Sequence, residues 1–273
     1  MLKGFMMFEI FEQGFLVRGF LAGLLISISA ALIGTALVLR RNAMIGDGLS
    51  HVGFSAFAVA TVLNFAPLEF ALPVVIIMSF LILRLNNQSK IQPDAAIAMV
   101  SAGALALGTF VISITKGVNT DINNYLFGSI LSISESDLIL CVIFSIFVIG
   151  IFLACYNKIF ALTFDEEFAR SIGIKTNLYN AVFAILCSIV AVLGMRLMGA
   201  LLISSLIIFP TMSAMQIVKS FRKVIIVSIL VSVSCFIVGM MTSYGLSTPT
   251  GSTIVLVNVL VFMLLKMMAW VRK

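Results

Sequence analysis

Charge is what this chain has least of: acidic and basic residues together fill only 10% of its 273 positions, while 62% are hydrophobic. No soluble single domain could cover so much apolar side chain with so little polar surface, so lipid is the solvent for most of the chain. Histidine and tryptophan occur once each, and there is no H-E-x-x-H zinc helix. The four cysteines, Cys141, Cys155, Cys187 and Cys235, all lie inside apolar runs without C-x-x-C spacing. That excludes a disulfide framework or zinc knuckle and leaves them as small hydrophobes. Neither a G-x-x-x-x-G-K-[ST] phosphate loop nor a G-x-S-x-G elbow is present. If ATP drives this protein, another subunit binds it. The formal charge of +6 comes from 17 Lys and Arg against 11 Asp and Glu. These bases sit in short clusters between apolar runs rather than along one polar face, which argues against a nucleic-acid partner.

What the chain has is apolar runs from end to end, which predict an all-α polytopic membrane protein of eight to nine transmembrane helices. They form one membrane domain over residues 1–273. Gly19 to Leu39 carries no charge and as a helix measures about 32 Å, matching a hydrocarbon core of about 30 Å. The further runs are Gly48 to Phe65, Phe70 to Leu83, Ala95 to Thr115, Leu138 to Tyr156, Leu178 to Met195, Leu197 to Val218, Val224 to Tyr244 and Ser252 to Leu265. The first run is flanked by Glu9, Glu12 and Arg18 and lacks a small-residue cleavage pattern, so it reads as a retained helix. Arg40-Arg41, Arg84 with Lys90, Lys158 with Arg170 and Lys175, Lys219 with Arg222 and Lys223, and Arg272-Lys273 all follow odd-numbered runs. That bias predicts an outside N-terminus and an inside C-terminus, with Lys116 and Arg196 as lone exceptions in outer connections.

Two connections are more than turns. The outer one, Lys116 to Asp137, holds the apolar Tyr125-Leu126-Phe127-Gly128 segment, which suits the interface or a re-entrant loop. The inner one, Asn157 to Asn177, holds a short helix over Asp165 to Gly173 with acidic first turn, late basic residue and glycine stop. Its mix of Phe164, Phe168 and Ile172 with charges is either an ordinary solvated loop or a docking element for a cytoplasmic partner.

Ionisable residues inside spans are expensive, about 2.5 to 3.5 kcal/mol for an Asp at helix centre. Asp47 and His51 stand four positions apart in Gly46-Asp47-Gly48-Leu49-Ser50-His51. On a helix that places their Cβ atoms about 5 to 6 Å apart on one face. A carboxylate oxygen and an imidazole nitrogen can then share one zinc, manganese or iron ion, while protonating the imidazole removes its lone pair. Two alternatives stay open on spacing alone. Asp47 could cap the second helix while His51 bonds to a neighbouring helix, or the two could form a proton relay in a secondary transporter. Gly199-Ala200, Ser204-Ser205 and Pro210 read as packing and kink positions.

Taken together, several segments resemble the permease subunits of the zinc and manganese uptake family of ABC transporters, over almost the whole chain. They are Arg40-Arg41-Asn42 with Gly46 to His51, Tyr125 to Gly128, Asp165 to Gly173, Gly199 to Pro210, and Thr248-Pro249-Thr250-Gly251. The resemblance implies a homodimer in the bacterial cytoplasmic membrane, bound to two cytoplasmic ATP-binding subunits and fed by an extracytoplasmic metal-binding protein. It implies no permanent cofactor and no enzymatic activity of its own, only a transported divalent metal. Asp47 and His51 match the family's D-x-x-x-H pair lining the metal path. Asp165, Glu166, Glu167, Ala169 and Gly173 match the loop that docks on the ATPase. Some zinc-directed relatives carry another histidine early in the fourth span, where this chain reads Met99-Val100-Ser101-Ala102-Gly103. That difference weakens zinc as the cargo. A permease for a chelated metal or siderophore is the rival within the class, and a membrane assembly factor the rival outside it.

Overall fold

The computed structural model describes residues 14–88, 93–115 and 133–271, and these form eleven helices with no strand among them. In chain order they are α1 (Gly14–Leu39), α2 (Met44–Val62), α3 (Pro67–Gln88), α4 (Pro93–Ile114), α5 (Glu135–Ala154) and α6 (Tyr156–Phe164). There follow α7 (Glu166–Ser171), α8 (Thr176–Met198), α9 (Ala200–Ile217), α10 (Phe221–Leu246) and α11 (Thr250–Val271). Eight are long and apolar enough to cross a membrane, and α3 adds a shorter apolar stretch, Pro67–Leu83. Helices are the form that lets a chain satisfy its backbone polar groups without water. The Tyr125 to Gly128 segment, Lys90 and the terminal Arg272-Lys273 lie outside the described residues.

Helices α1, α2 and α8 form the centre, each with more than two thirds of its apolar stretch buried. Helices α4, α5 and α11 lie at the periphery, with Phe110, Ile146 and Met263 facing outward. The centre is held by close backbone approach. Gly34 of α1 lies against the backbone of Ile207 on α9, where a Cβ would sit 2.9 Å from the Ile207 carbonyl carbon. One residue on, Thr35 and Thr211 bring their hydroxyls within 3.5 Å, and Ser232 of α10 donates to the Ser27 carbonyl at 3.0 Å. Small side chains and hydroxyl contacts do this work because lipid tails supply no hydrophobic drive between helices.

The bundle has two chemically different ends. At one, Arg18 pairs with Glu135 at 3.0 Å and Arg196 with Asp137 at 2.6 Å, joining α1, α5 and α8. At the other, Tyr156 and Phe160 of α6 pack on Phe221 at the start of α10, with ring centroids 5.6 and 5.2 Å away.

Three of the differences from the boundaries expected from hydropathy bear on the site. The second span begins at Met44 rather than Gly48, so Asp47 lies inside its first turn; Ala43 is the N-cap and makes no side-chain cap bond. Asp47 is therefore not a helix cap. Arg196 is not in a connection either, since α8 runs through it to Met198. The chain then reverses at Gly199, at φ +88°, a conformation glycine adopts without strain. Met198 and Ala200 on either side are almost fully buried, so α8 and α9 meet inside the bundle rather than at a surface. Finally, the inner connection holds two helices where one was expected: α6 precedes the acidic helix, and its aromatic face covers the start of α10.

Candidate metal path

Asp47 and His51 project from the same face of α2, as their spacing requires, and the His51 Nε2 lies 3.7 Å from Asp47 Oδ2. An ion about 2.1 Å from each atom would close that gap at roughly 120°, within the range of a tetrahedral or distorted site. Both side chains are half-buried, His51 being 21% and Asp47 31% exposed. The carboxylate sits in the first turn of α2, where the helix dipole favours negative charge. Among the described residues, no group of three or more His, Cys, Asp and Glu comes together.

The flanking glycines do not break the helix, which runs unbroken from Met44 to Val62. They let neighbours close in. A Cβ at Gly46 would lie 2.7 Å from Ile207 Cδ1 on α9, and one at Gly48 would lie 2.8 Å from Ile97 Cγ2 on α4. Asp47 is thus held between two helices that approach on either side.

A third group joins the pair. The Ser204 hydroxyl on α9 donates to Asp47 Oδ1 at 2.8 Å, leaving Oδ2 turned toward His51. The same hydroxyl reaches the Ala200 carbonyl at 3.0 Å, so its one proton has two acceptors. The sequence reading placed Ser204 among packing positions. Its one signal was a hydroxyl in a small-residue segment just after a glycine, which is too common to single it out.

The acidic helix stands apart from this pair. Asp165 caps α7, its Oδ1 accepting from the Phe168 N–H at 2.8 Å. Glu166 accepts from Asn180 Nδ2 at 3.0 Å. Ala169 is fully buried beneath the helix, whereas Glu167 and Phe168 face outward. Gly173 closes the segment at φ +84° with its surroundings open. The Thr248 to Gly251 segment forms the turn from α10 to α11, pinned by Ser243 donating to the Thr248 carbonyl.

A bundle of apolar helices long enough to cross a membrane, with an acid and an imidazole on one half-buried face, is an integral membrane protein. The comparisons narrow that class: the profile of the ABC 3 transport family matches residues 12–269. The chain belongs to that family and is a multi-pass membrane permease subunit. It is 31% identical over 242 residues to the high-affinity zinc uptake system membrane protein ZnuB of Buchnera aphidicola, covering 87% of this chain and 91% of that protein. It is 28% identical over 262 residues to the manganese import system permease protein ScaB of Streptococcus gordonii, covering 94% of each. Its fold superposes on a chain of the PsaBC complex from Streptococcus pneumoniae with a TM-score of 0.84, at 24% identity and 95% coverage of each chain.

Proposed function

We propose that this chain is the permease of an ATP-driven importer of a divalent metal ion, zinc, manganese or iron, and that the ion passes between Asp47 and His51. The observation that carries the reading is the 3.7 Å separation of the two donor atoms on one helical face. The names of the zinc and manganese import relatives support the cargo class. Two ligands from one chain suit a carrier, because an ion held by a full ligand set would be slow to leave. Water, or the same pair from a second copy of the chain, completes the coordination. A delivery protein outside the membrane hands over the ion, and two ATP-binding subunits inside hydrolyse ATP. The test is uptake into liposomes holding the permease with its ATPase, with the metal-loaded delivery protein supplied outside. Manganese, zinc or iron should accumulate only when ATP is enclosed with the ATPase. Uptake driven by a proton gradient alone, or of a siderophore complex but no free ion, would overturn the reading.

The end of the bundle carrying Arg40, α6 and α7 faces the cytoplasm in this scheme, because the basic clusters gather there. Helix α7 then offers Glu167 and Phe168 to the ATPase, on a segment held by the Asp165 cap and the Gly173 turn. One experiment checks orientation and docking together, in a chain whose four native cysteines are replaced by alanine. A cysteine at position 167 should react with a membrane-impermeant reagent only from the cytoplasmic side, and the bound ATPase should protect it. A cysteine in place of Asn64, in the turn between α2 and α3, should react only from outside. The reverse sidedness rejects the orientation, and full labelling in the presence of the ATPase rejects the docking role.

A further inference from the structure

Between the helices α6 and α7 and the metal pair stands a partly buried cation, Arg40. Arg40 is the residue immediately after α1, its backbone N–H still bonded to the Ala36 carbonyl at 3.1 Å. Its side chain turns into the bundle and onto two helices, α6 and α8. Nη1 donates to Asn180 Oδ1 on α8 at 3.1 Å, and Nε reaches Thr163 Oγ1 on α6 at 3.4 Å. The guanidinium carbon lies 4.9 Å from the centroid of the Phe183 ring. Asn180 passes the contact on, since its Nδ2 donates to Glu166 Oε1 on α7 at 3.0 Å. Arg40, Asn180 and Glu166 therefore form a continuous polar chain from the end of α1 to the first turn of the docking helix.

On its other side, Arg40 leads straight into the pair. The turn after it has no slack: Arg41 N–H bonds to the Val38 carbonyl at 3.0 Å, Asn42 N–H to Leu37 at 2.9 Å, and Ile45 N–H to Asn42 at 3.1 Å. Asp47 follows in the first turn of α2. A displacement of Arg40 is thus carried by a pinned turn to the carboxylate rather than absorbed in a loose loop.

The charge matters as well as the reach. A guanidinium stays protonated in a protein, so burying it is costly unless partners surround it. Burial pulls the Arg40 group below its ordinary value, opposed by the nearby Glu166 carboxylate. Nη2 has no protein hydrogen-bond partner among the described residues. Polar networks of this kind are sensitive to small shifts, because each lost contact leaves a charged donor in a low-dielectric setting.

We infer that Arg40 is a positioning residue that registers α6 and the docking helix α7 against the α1–α2 turn, so that movement of the ATPase is felt at Asp47 and His51. This rests on the proposed function and adds the route by which hydrolysis reaches the ion. Through the Asn180 bridge, a shift of α7 pulls on Arg40, and the turn passes the shift to α2. Without the bridge, the ATPase turns over but the pair no longer follows it.

The test measures metal moved per ATP hydrolysed in liposomes holding the permease with its ATPase. Arg40→Lys keeps a buried cation but loses the planar fork that bonds Asn180. Asn180→Leu removes the bridge while leaving Arg40 in place, and stands as the second variant should Arg40→Lys fold poorly. Each should lower the ratio about tenfold, with ATP hydrolysis and the amount of assembled complex within about twofold of wild type, and the double variant should lower it no further. A wild-type ratio in Asn180→Leu overturns the inference, as does a fall in uptake that only tracks the amount of complex. Failure of the wild-type complex to move any metal would instead count against the proposed function.

Discussion

In Asp47→Asn, ATP-dependent metal uptake falls by about 100-fold or more while the permease still assembles with its ATPase; His51→Ala does the same. The expected size follows from the chemistry of ligands. Loss of groups that merely support a metal ligand typically costs about 10 to 100-fold, and loss of a ligand exceeds that. The asparagine keeps the size of the side chain and an oxygen for Ser204, but it removes the anion and the strongest oxygen donor. The alanine removes the nitrogen without adding charge to the membrane. Ser204→Ala separates orientation from ligation, because it leaves both donors but frees Asp47 Oδ1 from its 2.8 Å hydrogen bond. Its uptake should fall about tenfold. The measurement is initial uptake at matched complex abundance. Wild-type rates in both Asp47→Asn and His51→Ala would mean that the pair only packs α2 against its neighbours.

Replacing Gly34 with valine should be the most damaging single change to the bundle. Its missing Cβ is what allows α1 to rest on the backbone of α9 at Ile207. A backbone cannot rotate aside as a side-chain tip can, so the two helices must separate. Overpacking of this kind costs about 1 to 3 kcal/mol or more. The separation also reaches the metal path, since Ile207 packs beside Gly46 and Ser204 lies one turn away on the same helix. The thermal midpoint of the detergent-solubilised protein should drop by several degrees, on the order expected for such a loss. Gly150→Ala, in open surroundings on α5, should leave it unchanged. An unshifted midpoint in Gly34→Val would show that the α1–α9 contact is not close in the membrane.

The apolar runs fixed much of this protein before any contact was known. Their length made lipid the solvent, which left helices as the only way to satisfy the backbone, and their number gave eight to nine spans. The four-residue spacing of Asp47 and His51 put both on one face of α2, because 3.6 residues per turn is a local property. The acidic first turn and terminal glycine of α7 were likewise readable from neighbouring residues alone.

Boundaries were harder to read, because a hydropathy run marks where apolar residues sit and not where hydrogen bonds begin. Asp47 and Arg196 are charged, so they looked like ends of runs. Each lies inside a helix because a partner supplies what water would: Ser204 for Asp47 and Asp137 for Arg196. Those partners are set by packing. Ser204 is 157 residues from Asp47, and Asn180 is 140 residues from Arg40. No periodicity spans such distances, so which serine orients the carboxylate and which asparagine holds the arginine were chosen by how the helices come together. Close contacts at Gly34, Gly46 and Gly48 set that arrangement, with the buried reversal at Gly199.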